Sequence, residues 1–156
     1  TEEVMQSAQS TFISSTYWTE RIGPTAAIAT IQKFMEKDVS SHLNEIGNQI
    51  QEIWKECAAA HDLDIHVSGL PALSHFSFNY PDGQAMMTLF VQLMLEKDIL
   101  ASNRFYASYA HSQNNVDEYK DACNDVFSKI REAIQKGEID QALRGPVAQS
   151  GFKRLN

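Results

Sequence analysis

Few residues in this chain have the chemistry for a reactive site, and their spacing narrows them quickly. The five histidines, His42, His61, His66, His75 and His111, form no helical pair at ligand spacing, and no cysteine or carboxylate cluster joins them. Solvated or locally hydrogen-bonded imidazoles are therefore expected, with no metal site. His66 and His75 approach each other only if their strands pair. All lysines except Lys153 lie within or at the ends of helical stretches, among polar neighbours. An imine-forming lysine needs a desolvated setting and a depressed pKa, and nothing in the sequence suggests one. There is no nucleophile elbow, Walker loop or dinucleotide fingerprint. One turn has suitable groups. At Ser15-Thr16, hydroxyls and free backbone N–H groups are able to hold a phosphate by charge-neutral donation. On those residues alone, simple capping of the turn is the favoured reading. Arg21, beside Glu20, is placed to close a local ion pair. No residue is assigned a catalytic role.

The totals limit what such groups serve. The 156 residues suffice for one ordinary domain with a real core, and 43% hydrophobic residues is too many for disorder. A net charge of -7 argues against nucleic acid, whose phosphates need a basic face. The longest apolar run, from Ala85 to Leu95, contains Thr88 and Gln92 and ends at Glu96-Lys97, too short and too polar to span a bilayer. A cytoplasmic protein with no membrane partner is expected. Cys57 and Cys123 fall in helical patterns and read as buried free thiols. The chain opens on Thr1-Glu2-Glu3 without Met, which suits a processed, trimmed or excised piece.

The elements that must position these residues follow from periodicity. Thr11 to Ser15 reads as a short strand. Gly23-Pro24 opens a helix rich in small and apolar residues that ends or bends at Lys37-Asp38. A second helix carries Val39, Leu43, Ile46, Ile50, Ile53 and Cys57 in alternating steps of four and three, a single apolar stripe widened by Trp54. Ile65 to Val67 reads as a strand and Gly69 to Pro71 as a turn. Leu73 to Tyr80 alternates, with Phe76, Phe78 and Tyr80 opposite His75, Ser77 and Asn79. Pro81-Asp82-Gly83 starts a deeply buried helix through Lys97. Ile99 to Tyr109 holds another strand. Asn115 to Glu118 has capping-box spacing ahead of a helix that Lys136-Gly137 ends, and a short helix follows from Glu138 to Leu143. The expected fold is α+β, a small mostly antiparallel sheet with helices packed on one face, preceded by a long helical connector.

From Ser14 to Ile31 the chain resembles the segment that follows the cofactor lysine in class III (glutamate-1-semialdehyde aminomutase-like) aminotransferases. In that family the run reads Gly-Thr, two variable residues, Gly-Asn-Pro, then an alanine-rich helix ending Ala-Thr-Leu. Ser15-Thr16 stands at the Gly-Thr place, and Ala26, Ala27, Ala29, Thr30 and Ile31 match the helix. The later strand into Tyr109-Ala110-His111-Ser112 and the helix from Asn115 to Lys136 are similar to the family's C-terminal small domain. Two departures are clear. Thr19-Glu20-Arg21 replaces Gly-Asn-Pro, and Tyr106 lies near where the aminomutases carry a glutamate.

The resemblance implies pyridoxal phosphate as the cofactor of the full-length enzyme. It implies that Ser15 and Thr16 bind the cofactor phosphate across a homodimer interface, with Arg21 close enough to serve the substrate. Residues 1–37 would be the end of a large-domain segment with its connector helix, and residues 38–156 the small domain. The cofactor lysine and the aspartate that pairs with the pyridine nitrogen would lie upstream. The piece would then be inactive alone, its partner the missing N-terminal cofactor domain. The other class of reading is an independent, non-catalytic interaction domain, supported by the lack of a complete catalytic constellation.

Overall fold

The computed structural model describes residues 1–11, 20–149 and 151. The turn at Ser15-Thr16 lies outside them, as does the strand expected from Thr11 to Ser15 apart from Thr11 itself. The chain divides into two compact units, Thr1–Asp38 and Val39–Asn156.

The first unit holds α1 (Glu2–Gln9) and α2 (Ile22–Glu36), and no residue of either helix is buried. α1 was not expected from the sequence, although its start carries helix signals. Thr1 accepts from the Val4 N–H, and Glu2 and Glu3 occupy the first turn, where the helix dipole favours negative charge. α2 begins two residues before Pro24, which therefore falls in the first turn, where its missing N–H costs nothing. Its apolar side chains are open to water, among them Ile22, Ile31 and Met35.

The second unit contains α3 (Val39–Ala60), β1 (Ile65–Leu70), β2 (Leu73–Phe78), α4 (Gly83–Leu95), β3 (Arg104–Tyr106), α5 (Gln113–Lys136) and α6 (Ile139–Ala142). The strands form one antiparallel sheet in the order β1-β2-β3. α3 and α4 pack on the sheet, and α5 packs on both helices. This is the α+β architecture that the alternating and helical periods predict.

The core is built around Phe76. Its ring centroid lies 4.8 Å from Trp54 of α3, 5.2 Å from Phe90 of α4, 5.5 Å from Phe78 and 6.0 Å from Phe127 of α5. These are favourable separations for tilted and edge-on aromatic pairs. The α3 stripe is buried from Ile46 through Ile50, Ile53 and Cys57, while Val39 and Leu43 are only half-buried. Period 2 in β2 puts Ser74, Phe76 and Phe78 inward and Leu73, His75 and Ser77 outward.

Local boundaries differ from expectation where side chains compete for backbone groups. The strand β1 runs on through Gly69 at φ +96 to Leu70, so the turn is only Pro71-Ala72. α5 starts at Gln113, because Asn115 accepts the Ser112 backbone N–H at 2.9 Å and its hydroxyl at 2.8 Å. Ser112, not Asn115, is thus the cap. Glu118 instead accepts from Asn114. β3 occupies only three residues of the expected Ile99 to Tyr109 stretch, and Ser102 and Ser108 bond locally on either side of it.

Candidate functional site

Of the residues expected to form a site, Ser15 and Thr16 lie outside the described residues. Arg21 caps α2 through its backbone and is exposed; among the described residues it makes no ion pair, with Glu20 or otherwise. The lysines behave as the sequence suggests. Lys55 bonds Glu52, Lys97 and Lys129 share Asp125, Lys120 bonds Glu56 and Lys136 bonds Glu132. Donation to the Glu56 and Glu132 carboxylates raises Lys120 and Lys136 above the usual ammonium value. An imine-forming lysine requires the opposite shift. No described lysine has a setting that would anchor pyridoxal phosphate.

A cavity of about 860 Å³ opens between α3, the Asp98–Tyr106 stretch and the first turns of α5. Ile46, Ile50 and Val116 form buried apolar wall, while Arg104, His111 and Glu118 supply polar groups. This combination of apolar lining and few polar groups is typical of small-molecule pockets. The Ser108 N–H donates to His111 Nδ1 at 3.0 Å, which leaves the ring proton on Nε2. Phe105 stacks on the same ring at 5.1 Å, and His42 Nε2 donates to the His111 carbonyl at 3.0 Å. Deeper in, Trp54 Nε1 donates to the Tyr119 hydroxyl at 2.8 Å. Burial is the main reason the Tyr119 hydroxyl is pushed far above its ordinary value, so it stays protonated. Among the described residues no nucleophile in this cavity pairs with a base. The cavity can bind and orient a molecule; it contains no complete acid–base or nucleophilic constellation.

The sheet's open face holds a second group. Register sets Ser68 opposite His75 and His75 opposite Arg104, one cross-strand row. Ser68 Oγ and His75 Nε2 are 2.9 Å apart. His66 pairs with Ser77, so it stands diagonal to His75 on the same face and not directly beside it. His75 was readable as an outward residue from strand alternation. Ser68 and Arg104 were not singled out, because only the pairing register brings them to it.

Cys57 and Cys123 are free and buried on facing helices. The neighbouring Cys123 thiol lowers the Cys57 thiol, while Cys57 and burial hold Cys123 far up. With 3% and 0% exposure, neither is placed to act as a nucleophile.

No protein-family model matches the chain, and no curated protein matches it. A solved structure does. The chain is similar to the FumI protein of Sphingopyxis sp. MTA144 in its PLP internal aldimine form, with a TM-score of 0.75 and 17% sequence identity. The likeness covers 86% of this chain and 33% of that one, so the chain spans about a third of the length of that protein. Over that 86% the chain thus shares the fold of part of that protein.

Proposed function

We propose that this chain is the C-terminal portion of a class III pyridoxal-phosphate-dependent aminotransferase or aminomutase. The full enzyme would transfer an amino group on an amino-acid or amino-sugar-like substrate. The observation that carries this is the fold likeness to a pyridoxal-phosphate protein over 86% of the chain but only a third of that protein. The run from Ser14 to Ile31 adds the class III resemblance. In this reading residues 1–37 end the large-domain segment and provide the connector, and residues 38–156 are the small domain.

The cofactor supplies the electron sink for amino transfer. Its anchoring lysine belongs to the N-terminal domain, and the chain alone is inactive. Ser15 and Thr16 donate to the cofactor phosphate across a homodimer interface. Arg21 is the substrate-side cation, available because no described carboxylate pairs with it. The exposed apolar residues of α2 suit a surface that the N-terminal domain covers. The assembled enzyme works in the cytoplasm.

Reading the coding DNA upstream of the Thr1 codon tests the proposal. The expected result is an open frame with a large α/β domain and a lysine shortly before Thr1. A start codon adjacent to Thr1 would overturn it and leave the non-catalytic interaction domain. Inactivity has its own test, incubation of the isolated chain with pyridoxal phosphate followed by borohydride. No pyridoxyl-lysine is expected by mass spectrometry, and a single stoichiometrically labelled lysine would contradict the assignment.

A further inference from the structure

We infer that the segment from Leu143 to Ala148 is a strap that opens as one unit, and that its opening frees a ladder on α4 that takes an extended peptide by the backbone. The device is built from the chain's own side chains and is independent of the cofactor reading.

The polar side chains of α4 are Gln84, Thr88 and Gln92, set in an otherwise apolar helix. Steps of four put them on one stripe. Each of them ends on the tail. Gln84 Nε2 donates to the Ala148 carbonyl at 3.0 Å, and the Ala148 N–H donates to Thr88 Oγ1 at 3.1 Å. Thr88 gives its own hydroxyl proton to the Gln84 carbonyl at 2.8 Å, so its oxygen is left to accept. Gln92 uses both ends of its amide. Nε2 donates to the Ala142 carbonyl at 3.0 Å, and Oε1 accepts the Arg144 N–H at 2.8 Å. Just beyond the helix, Glu96 meets the Arg144 guanidinium at 2.6 Å.

Two features distinguish this contact from ordinary packing. First, the ladder reads backbone. Apart from the Arg144 guanidinium, every group it holds is a C=O or N–H that any non-proline residue presents. Gln92 spans residues two apart, as a neighbouring strand would. Extended peptides dock on sheet edges through main-chain bonds of this kind.

Second, among the described residues little else holds the strap. Leu143 is its half-buried apolar anchor, and residues 144–148 are exposed. A Cβ on Gly145 would meet nothing within 4 Å. A segment held by polar bonds without burial belongs to the low-stability end of a fold.

The unit is tested by amide hydrogen exchange of the 156-residue chain, followed by NMR. The Arg144 and Ala148 amides are expected to be protected alike, and far less than a core amide such as that of Phe127. Gln92→Ala removes a contact to Arg144 and none to Ala148. Ala148 should nevertheless exchange about tenfold faster, the effect of losing one hydrogen bond from a shared opening. Thr88→Val should do the same to Arg144, with Phe127 unchanged in both. Unchanged Ala148 exchange in Gln92→Ala would overturn the strap as a unit.

The ladder is tested separately. Ala148→Pro deletes the N–H that Thr88 accepts and keeps every ladder side chain. A capped peptide, Arg-Gly-Pro-Val-Ala-Gln, copies residues 144–149. Added to this variant, it should shift the Gln92 side-chain amide signals saturably, at about millimolar concentration because it competes with a tethered segment. The same peptide N-methylated at alanine should bind about tenfold more weakly. Failure of the first peptide to saturate, or equal binding of the methylated one, would overturn the peptide site.

Discussion

At the residue scale, close contacts decide more than hydrophobicity. Gly47 lies on the buried side of α3, against the β1–β2 turn. A Cβ there would come within 1.8 Å of the Pro71 carbonyl oxygen and 2.2 Å of its carbon. Both are backbone atoms, so no side-chain rotation relieves the clash. Ser74, fully buried, ties the same turn down. Its Oγ is 2.9 Å from the Pro71 carbonyl and accepts from Gln51 Nε2 at 2.9 Å. Gly47→Ala should therefore cost about 2–3 kcal/mol, typical of an overpacked interior. A lowered urea midpoint with an unchanged slope checks it. A midpoint equal to the parent's would mean that the turn yields freely. Nothing in the local pattern around Gly47 signals this contact, since glycine in a helix reads only as a weak position. Arg104 and Ser68 were equally invisible, because their meaning depends on which strand residues they face.

At the element scale, α4 and α5 are joined at the surface by one carboxylate. Asp125 of α5 accepts from Lys97, just beyond α4, at 2.6 Å and from Lys129, one turn on, at 3.1 Å. Lys97 first, then Lys129, hold Asp125 below its ordinary value. A carboxylate depressed in the folded state adds stability above its unfolded pKa and loses it as pH falls through the folded one. Asp125→Asn should thus melt below the parent at neutral pH, and the two should converge in acid below the carboxylate range. Partly exposed pairs are screened by water, so the gap should not exceed about 1 kcal/mol and should shrink with salt. Melting temperatures across pH and salt measure it; a gap that persisted in strong acid would assign the loss to packing instead. The elements themselves were largely readable. α3, β2 and α5 each carry a period that admits one partner face, whereas α4 reads as apolar nearly all round, and the structure leaves its Leu95 exposed. α1 and the start of α5 were misjudged where capping groups, not apolar spacing, set the boundary.

At the scale of the whole chain, the buried hydrophobic core among the described residues draws on residues from Ile46 onward. That cluster spans α3, β2, α4 and α5, with a helix layer on one side of the sheet. Residues 39–156 should accordingly fold on their own, with one cooperative urea transition followed alike by tryptophan fluorescence and far-UV circular dichroism. Two separated transitions, or an unfolded product, would show that this unit needs more chain than it contains. Thr1–Asp38 has no buried side chain in either helix. Such a segment gains little from burial by itself.

The sequence by itself determined the α+β class, the inward face of α3 and the outward place of His75. These depend on periods of 3.6 and 2 and on nearby residue types, all local properties of the chain. Only the tertiary structure decided that Gly47 meets the Pro71 backbone, that Cys57 meets Cys123, and that Ser68, His75 and Arg104 share a row. Most of these meetings join residues far apart in the chain, and all are set by strand register and helix docking. A one-residue slip in register would turn every outward side chain of a strand inward, so a face of this sheet exists only once its strands have paired.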